Sequence, residues 1–107
     1  EIEPLSNGNN YYLPLKKIYS YNPVPAVLTA EESKYILGPE GCLWTEYVSS
    51  AERAENLKFP RVCALAEVGW TPLSEKDYKD FVNRLNYNVE HLDKMNVNFS
   101  KYYQSDN

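Results

Sequence analysis

Apolar residues recur at steps of three and four from Tyr78 through Phe81, Val82, Leu85, Val89 and Leu92 to Met95. Lys76, Lys79, Asp80, Asn83, Asn86, Glu90, Asp93 and Lys94 take the other face. The spacing predicts one amphipathic helix over residues 74–95, whose apolar stripe runs over about five turns and packs on something apolar. Ser74 is its expected N-cap, with Asp77 at the N3 position and Glu75 favouring the dipole in the first turn. Asn96 ends it. Residues 61–70 read differently, since only Arg61 and Glu67 are polar there and Pro60 stands at a first-turn position. A helix apolar nearly all round must be buried on most sides. The pattern therefore asks for neighbours that this chain does not itself supply. Glu67 in that setting is either catalytic or paired, with Arg61 or with a group outside this segment, and pairing is the preferred reading.

The first half of the chain is patterned in shorter pieces. Leu15, Ile18 and Tyr19 follow Pro14 at helical spacing, which predicts a short helix ending before Asn22-Pro23. Thr29-Ala30-Glu31-Glu32 is a capping box and predicts a helix over residues 30–35. Ser49 or Ser50 caps a charged, mostly exposed helix over residues 51–56. Residues 1–10 are polar loop material and form a flexible leader, residues 97–103 a short extended tail, and residues 104–107 the end.

Between these helices lies Gly38-Pro39-Glu40-Gly41, which is turn chemistry. Cys42-Leu43-Trp44 follows as a run long enough for one buried strand and too short for a helix. Trp44 and Glu46, two residues apart on a strand, point to the same side. An apolar plate beside an acceptor-only anion suits a sugar, with its apolar face and hydroxyl donors. The same two residues also read as a buried tryptophan and a helix N-cap glutamate. Tyr11, Tyr12, Tyr19 and Tyr21 either line a sugar subsite or, the preferred reading, cover a core with their rings and keep their hydroxyls wet.

Composition narrows the picture. A chain of 107 residues makes one small domain, and 43% hydrophobic with 14% aromatic content excludes a disordered one. A formal charge of −4 argues against nucleic acid or an anionic membrane as partner. No apolar run approaches the roughly 20 residues of a membrane-spanning helix. No signal peptide is visible at Glu1, and Glu1-Ile2-Glu3-Pro4 does not look like a natural start, so the expectation is a chain that begins within a longer one or was cut. Cys42 and Cys63, both in apolar runs, read as buried free thiols. His91 is the only histidine, which argues against a metal site and against Ser-His or Cys-His chemistry not built around it. No cofactor is called for.

Leu43-Trp44-Thr45-Glu46-Tyr47, then Phe59-Pro60-Arg61, Ala64-Leu65-Ala66-Glu67-Val68-Gly69-Trp70, and Phe81, Arg84 and Leu85 resemble the C-terminal end of family-20 glycoside hydrolases. Those are the β-N-acetylhexosaminidases. Tyr19-Ser20-Tyr21-Asn22-Pro23-Val24-Pro25 resembles the approach to this region in bacterial members, and the likeness runs from Tyr11 to Tyr103. The resemblance implies an α/β fold, a (β/α)8 barrel with its active site at the C-terminal ends of the strands. Such a barrel needs about 250 residues. Residues 11–103 would then be its C-terminal part, helix-rich with one or two short strands. Residues 42–44 would be the eighth strand, and the helices over 61–70 and 74–95 would close the outer ring.

The mechanism so implied is substrate-assisted retention, in which the substrate's 2-acetamido oxygen attacks the anomeric carbon. An Asp-Glu pair orients the acetamide and protonates the leaving oxygen, and this sequence contains no Asp-Glu dipeptide. The family's tyrosine and aspartate at the preceding strand end likewise fall before Glu1. No catalytic residue is carried over. What carries over is Trp44 as a wall of the −1 sugar pocket and Glu46 as acceptor for that sugar's outer hydroxyls. The substrate would be a terminal N-acetylglucosamine or N-acetylgalactosamine of a glycan, met in the periplasm or outside the cell. Where the family commonly has asparagine two residues before the tryptophan, this chain has Cys42, which puts that asparagine's hydrogen bond in doubt.

Three readings follow: part of a β-N-acetylhexosaminidase, inactive alone; a non-catalytic carbohydrate- or partner-binding module; or a self-contained helical domain. The first predicts self-association of the isolated chain, with the 74–95 stripe in or near the interface.

Overall fold

In a computed structural model, residues 13–45 and 48–105 are described, and every regular element among them is helical. Helix α1 spans Leu15–Tyr19, α2 Ala30–Ser33, α3 Ala51–Lys58, α4 Arg61–Trp70 and α5 Tyr78–Lys94. Two 3-10 turns, Leu73–Glu75 and Tyr102–Ser105, precede and follow α5. The leader expected over residues 1–10 lies outside the described residues, as do Tyr11 and Tyr12.

The core forms where α1, α4 and α5 meet. Leu15 and Tyr19 of α1, Ala64 of α4, and Phe81, Val82 and Leu85 of α5 are buried together. The Tyr19 ring stacks on Phe81 at 4.9 Å and meets Tyr78 edge-on at 5.3 Å. Tyr19 thus covers the core as read from sequence, but its hydroxyl is not wet. It is buried with no hydrogen-bond partner among the described residues. Burial, reinforced by the charge of Glu67, pushes its pKa up.

The α5 stripe is used inside the chain and is not left open for a second copy. Phe81, Val82, Leu85 and Leu92 are buried, whereas Met95 is exposed because the helix ends there. The N-cap is Asp77, whose side chain accepts from the backbone N–H groups of Lys79 and Asp80. Ser74, expected in that role, sits in the preceding 3-10 turn. Pro14 and Pro60 each stand one position ahead of their helices.

Shorter elements follow their local chemistry closely. The capping box at Thr29 is present in both directions, with the Thr29 N–H donating to Glu32 at 2.8 Å. Ser50 caps α3, which continues to Lys58, past the expected Asn56. The C-terminal segment is not an extended tail. It returns to the core, where Tyr103 is 3% exposed and the Ser100 N–H donates to the Phe59 carbonyl at 3.0 Å.

Residues 42–44 form no strand with any described residue, and Cys42 is exposed, not buried as expected. A ladder needs a second strand, and every regular element described here is a helix. The surface tells the same story. The chain leaves 7843 Å² accessible, where a closed monomer of this size leaves about 6100 Å². Its radius of gyration is 15.3 Å against about 13 Å for a compact domain of this length. Among the described residues Leu37, Trp44 and Trp70 are left exposed, which a self-contained helical domain would cover.

Candidate functional site

The segment that carries Trp44 is held by packing. Residues 37–44 make no backbone hydrogen bond to any described residue, the nearest ones being Ile36 N–H to the Ser33 carbonyl and Val48 N–H to the Thr45 carbonyl. Gly38 turns the chain with φ 147°, a conformation that side chains disfavour. Pro39 then lies against Gly69, and Gly41 against Leu65. Leu65 and Gly69 are one helical turn apart and share a face of α4. That face guides the chain towards Trp44, whose indole is 77% exposed. Nothing else among the described residues of this chain covers it. Glu46 and Tyr47 lie outside the described residues.

Helix α4 is fixed in turn by its other faces. Ala64 and Val68 are buried in the core. Glu67, its side chain 14% exposed, receives a two-pronged hydrogen bond from Arg84 of α5, at 2.5 and 3.1 Å. Arg84 Nε donates to Asp80 one turn earlier at 2.7 Å, so two carboxylates flank one guanidinium and hold its pKa above the usual value. Glu67 is paired, as read from sequence, but its partner is Arg84. Arg61 donates instead to the carbonyls of Leu13, Asn56 and Leu57. An i, i+4 Asp80–Arg84 spacing was visible in the sequence. Nothing in the sequence brings α5 beside Glu67.

An open groove of about 430 Å³ runs between α4 and α5, lined by Cys63, Ala66, Trp70, Arg84 and Asn88 among others. Burial pushes the Cys63 thiol pKa up, and Asn88 donates to its sulfur at 3.6 Å. A thiol held protonated is a poor nucleophile. His91 is exposed and meets the Tyr87 ring edge-on at 5.1 Å. The indole of Trp70 is 89% exposed, and Val62 and Ala66 continue that face of α4. No helix among the described residues is long and apolar enough to cross a membrane.

What the geometry defines is a helical piece of a larger fold: a chain segment presenting an indole, laid on a helix whose remaining apolar face is uncovered. Comparison with known proteins agrees. The family model for the glycosyl hydrolase family 20 catalytic domain matches residues 2–73, and the chain belongs to that family. A β-hexosaminidase of Porphyromonas gingivalis is 41% identical over 98 residues, covering 92% of this chain and 12% of that protein. The human β-hexosaminidase subunit beta is 31% identical over 84 residues, covering 78% of this chain and 14% of that protein. Among solved structures, the family-20 exo-β-N-acetylglucosaminidase of Vibrio harveyi, in complex with N-acetylglucosamine, superposes with a TM-score of 0.76 at 34% identity. It covers 87% of this chain, which spans 15% of that one. The chain thus spans a small part of each relative. Its fold class is the one expected, a helix-rich portion of the (β/α)8 barrel, with residues 42–44 lacking the strand partners that the rest of a barrel provides.

Proposed function

We propose that this chain is part of a β-N-acetylhexosaminidase, which removes terminal N-acetylhexosamine from glycans by substrate-assisted retaining hydrolysis. The observation that carries this reading is the family match over residues 2–73, which includes the whole Trp44 segment. Within the enzyme, the Trp44 indole stacks on the apolar face of the −1 sugar and Glu46 accepts hydrogen bonds from its outer hydroxyls. The acetamido oxygen of the substrate attacks the anomeric carbon while the leaving oxygen takes a proton from an Asp-Glu pair. That pair is not in this sequence. This part of the enzyme binds and orients the sugar, and the acid chemistry comes from elsewhere in the barrel.

The test is made in the complete enzyme that carries this chain. Glu46→Gln removes a charged acceptor worth about 1.5–3 kcal/mol per hydrogen bond, so kcat/KM on a chromogenic N-acetylglucosaminide falls about tenfold to a hundredfold. An unchanged kcat/KM in both Glu46→Gln and Trp44→Ala removes these residues from the site. The isolated 107-residue chain hydrolyses nothing, because general acid catalysis, worth roughly 10²–10⁴-fold, is missing. Turnover by the isolated chain, with contamination excluded, would refute this.

The reading extends to two further properties. Alone, the chain associates with itself through the surfaces it leaves uncovered. In its cell of origin the enzyme works in the periplasm or outside the cell, a placement supported by the family likeness; activity confined to the cytoplasmic fraction contradicts it.

A further inference from the structure

Helix α5 ends in a left-handed turn that sends the chain back over α3. Asn96 has φ 56°, a conformation that asparagine adopts more readily than most residues. The Val97 N–H donates to the Leu92 carbonyl at 3.0 Å and the Asn96 N–H to that of Asp93 at 2.9 Å, the paired bonds of a Schellman helix end. Beyond this cap the Asn98 backbone N–H donates to the Glu55 carboxylate at 2.8 Å, and its side-chain amide donates to the Glu52 carbonyl at 2.9 Å. Glu52 and Glu55 are three positions apart, so both arms of Asn98 close on one face of α3. The Ser100 N–H then donates to the Phe59 carbonyl at 3.0 Å, just past the end of α3. We propose that residues 98–100 latch α3 and thereby position Glu46 in the sugar pocket, with Asn98 as the positioning residue; this rests on the sugar-pocket reading of Glu46.

The connection from α3 to Glu46 is short. Ser50 fixes where α3 begins, accepting from the Arg53 N–H at 3.1 Å, and it stands four residues after Glu46, within about 14 Å of chain. The Val48 N–H donates to the Thr45 carbonyl at 3.0 Å, which shortens that span. A shift of α3 is therefore passed on to the chain at Glu46. Arg61 holds the last turn of α3 through the Asn56 and Leu57 carbonyls, and Asn98 holds the first through Glu52. The latch is itself anchored, since Phe99 packs against the core and Ser100 is buried. These are contacts the chain makes with itself, so they do not depend on the strands and helices that complete the barrel. The family match ends at residue 73, so a segment outside it takes part in shaping the sugar pocket.

The experiment uses the complete enzyme and reads kcat and KM on a chromogenic N-acetylglucosaminide beside thermal unfolding. Asn98→Ala removes the side-chain arm of the latch, and Glu55→Ala removes the acceptor of the backbone arm. Each lowers kcat/KM about twofold to tenfold, and the two together about tenfold or more. In a Glu46→Ala background Asn98→Ala costs no further activity, because it acts through the carboxylate already removed. A merely structural role gives the opposite pattern, a loss that repeats in full in both backgrounds. That additive outcome overturns the proposal. So does an unchanged kcat/KM in both Asn98→Ala and Glu55→Ala when Glu46→Ala lowers it in the same assay. An unchanged kcat/KM in Glu46→Ala strikes instead at the sugar-pocket reading, and the proposal falls with it. If Glu55→Ala gives no folded enzyme, Glu55→Gln takes its place, with a smaller loss and the same dependence on Glu46 expected.

Discussion

Arg84 and Glu67 lie seventeen positions apart and lock α5 to α4 through two parallel hydrogen bonds of 2.5 and 3.1 Å. Glu67 is the more enclosed partner, 14% exposed against 53% for Arg84. Removing the arginine therefore leaves a half-shielded carboxylate without its counter-charge. The Arg84 end is open to water and screened, which keeps the loss well below that of a fully buried pair. Arg84→Ala is expected to lower the stability of the isolated chain by about 1–2 kcal/mol, read from the urea midpoint at fixed protein concentration. A double cycle with Glu67→Gln isolates the pair. A coupling of zero would assign the loss to the Arg84–Asp80 contact within α5.

Tyr103 is the second point to test, because it closes the core from the C-terminal side. Its ring is 3% exposed and its hydroxyl meets Asn86 Oδ1 at 3.4 Å. Truncation to alanine removes a buried aromatic and leaves a cavity against Leu15 and Pro60, at a cost of about 3–5 kcal/mol. The expected outcome is loss of the cooperative unfolding transition or a large fall in its midpoint. An unchanged midpoint means that residues 99–105 do not pack as described.

Acid should loosen α2 before the rest of the chain. The Thr29 backbone N–H, and then its hydroxyl, donate to the Glu32 carboxylate and hold its pKa below the usual glutamate value. The folded state therefore binds fewer protons than the unfolded one across that interval. The contribution is fully present above the ordinary glutamate pKa, about 4.3, and is lost as pH falls through the lower folded value. In an NMR titration the Thr29 amide resonance should move with a midpoint below the ordinary one, and Glu32→Gln should abolish the movement. A midpoint at or above the ordinary value contradicts the capping box.

Uncovered apolar surface is expected to make the isolated chain self-associate. Val62, Ala66 and Trp70 form an exposed face on α4, and Tyr35, Leu37 and Trp44 are exposed as well. Exposed apolar surface drives association. Sedimentation at tens of micromolar should show a dimer or larger species, and Trp70→Glu should shift it towards monomer. A monomer that binds no hydrophobic dye defeats this expectation.

The helices and their local ends were legible in the order of residues alone. Periodicity placed α5, the capping box placed α2, and the apolar run over residues 61–70 both placed α4 and announced that it wants neighbours. Those signals are readable because they act over three to four residues, within one helical turn. The motifs around Trp44 carried the family for the same reason, being short and contiguous. Tertiary structure decided the contacts made at long range. It gave Glu67 to Arg84 in place of Arg61, took the α5 stripe into the chain's own core, and folded Tyr103 back where an extended tail was expected. Within this chain Cys42 and Trp44 are exposed and residues 42–44 have no ladder partner among the described residues. A strand's burial depends on what lies on either side of it, and those partners are not encoded in its own three residues.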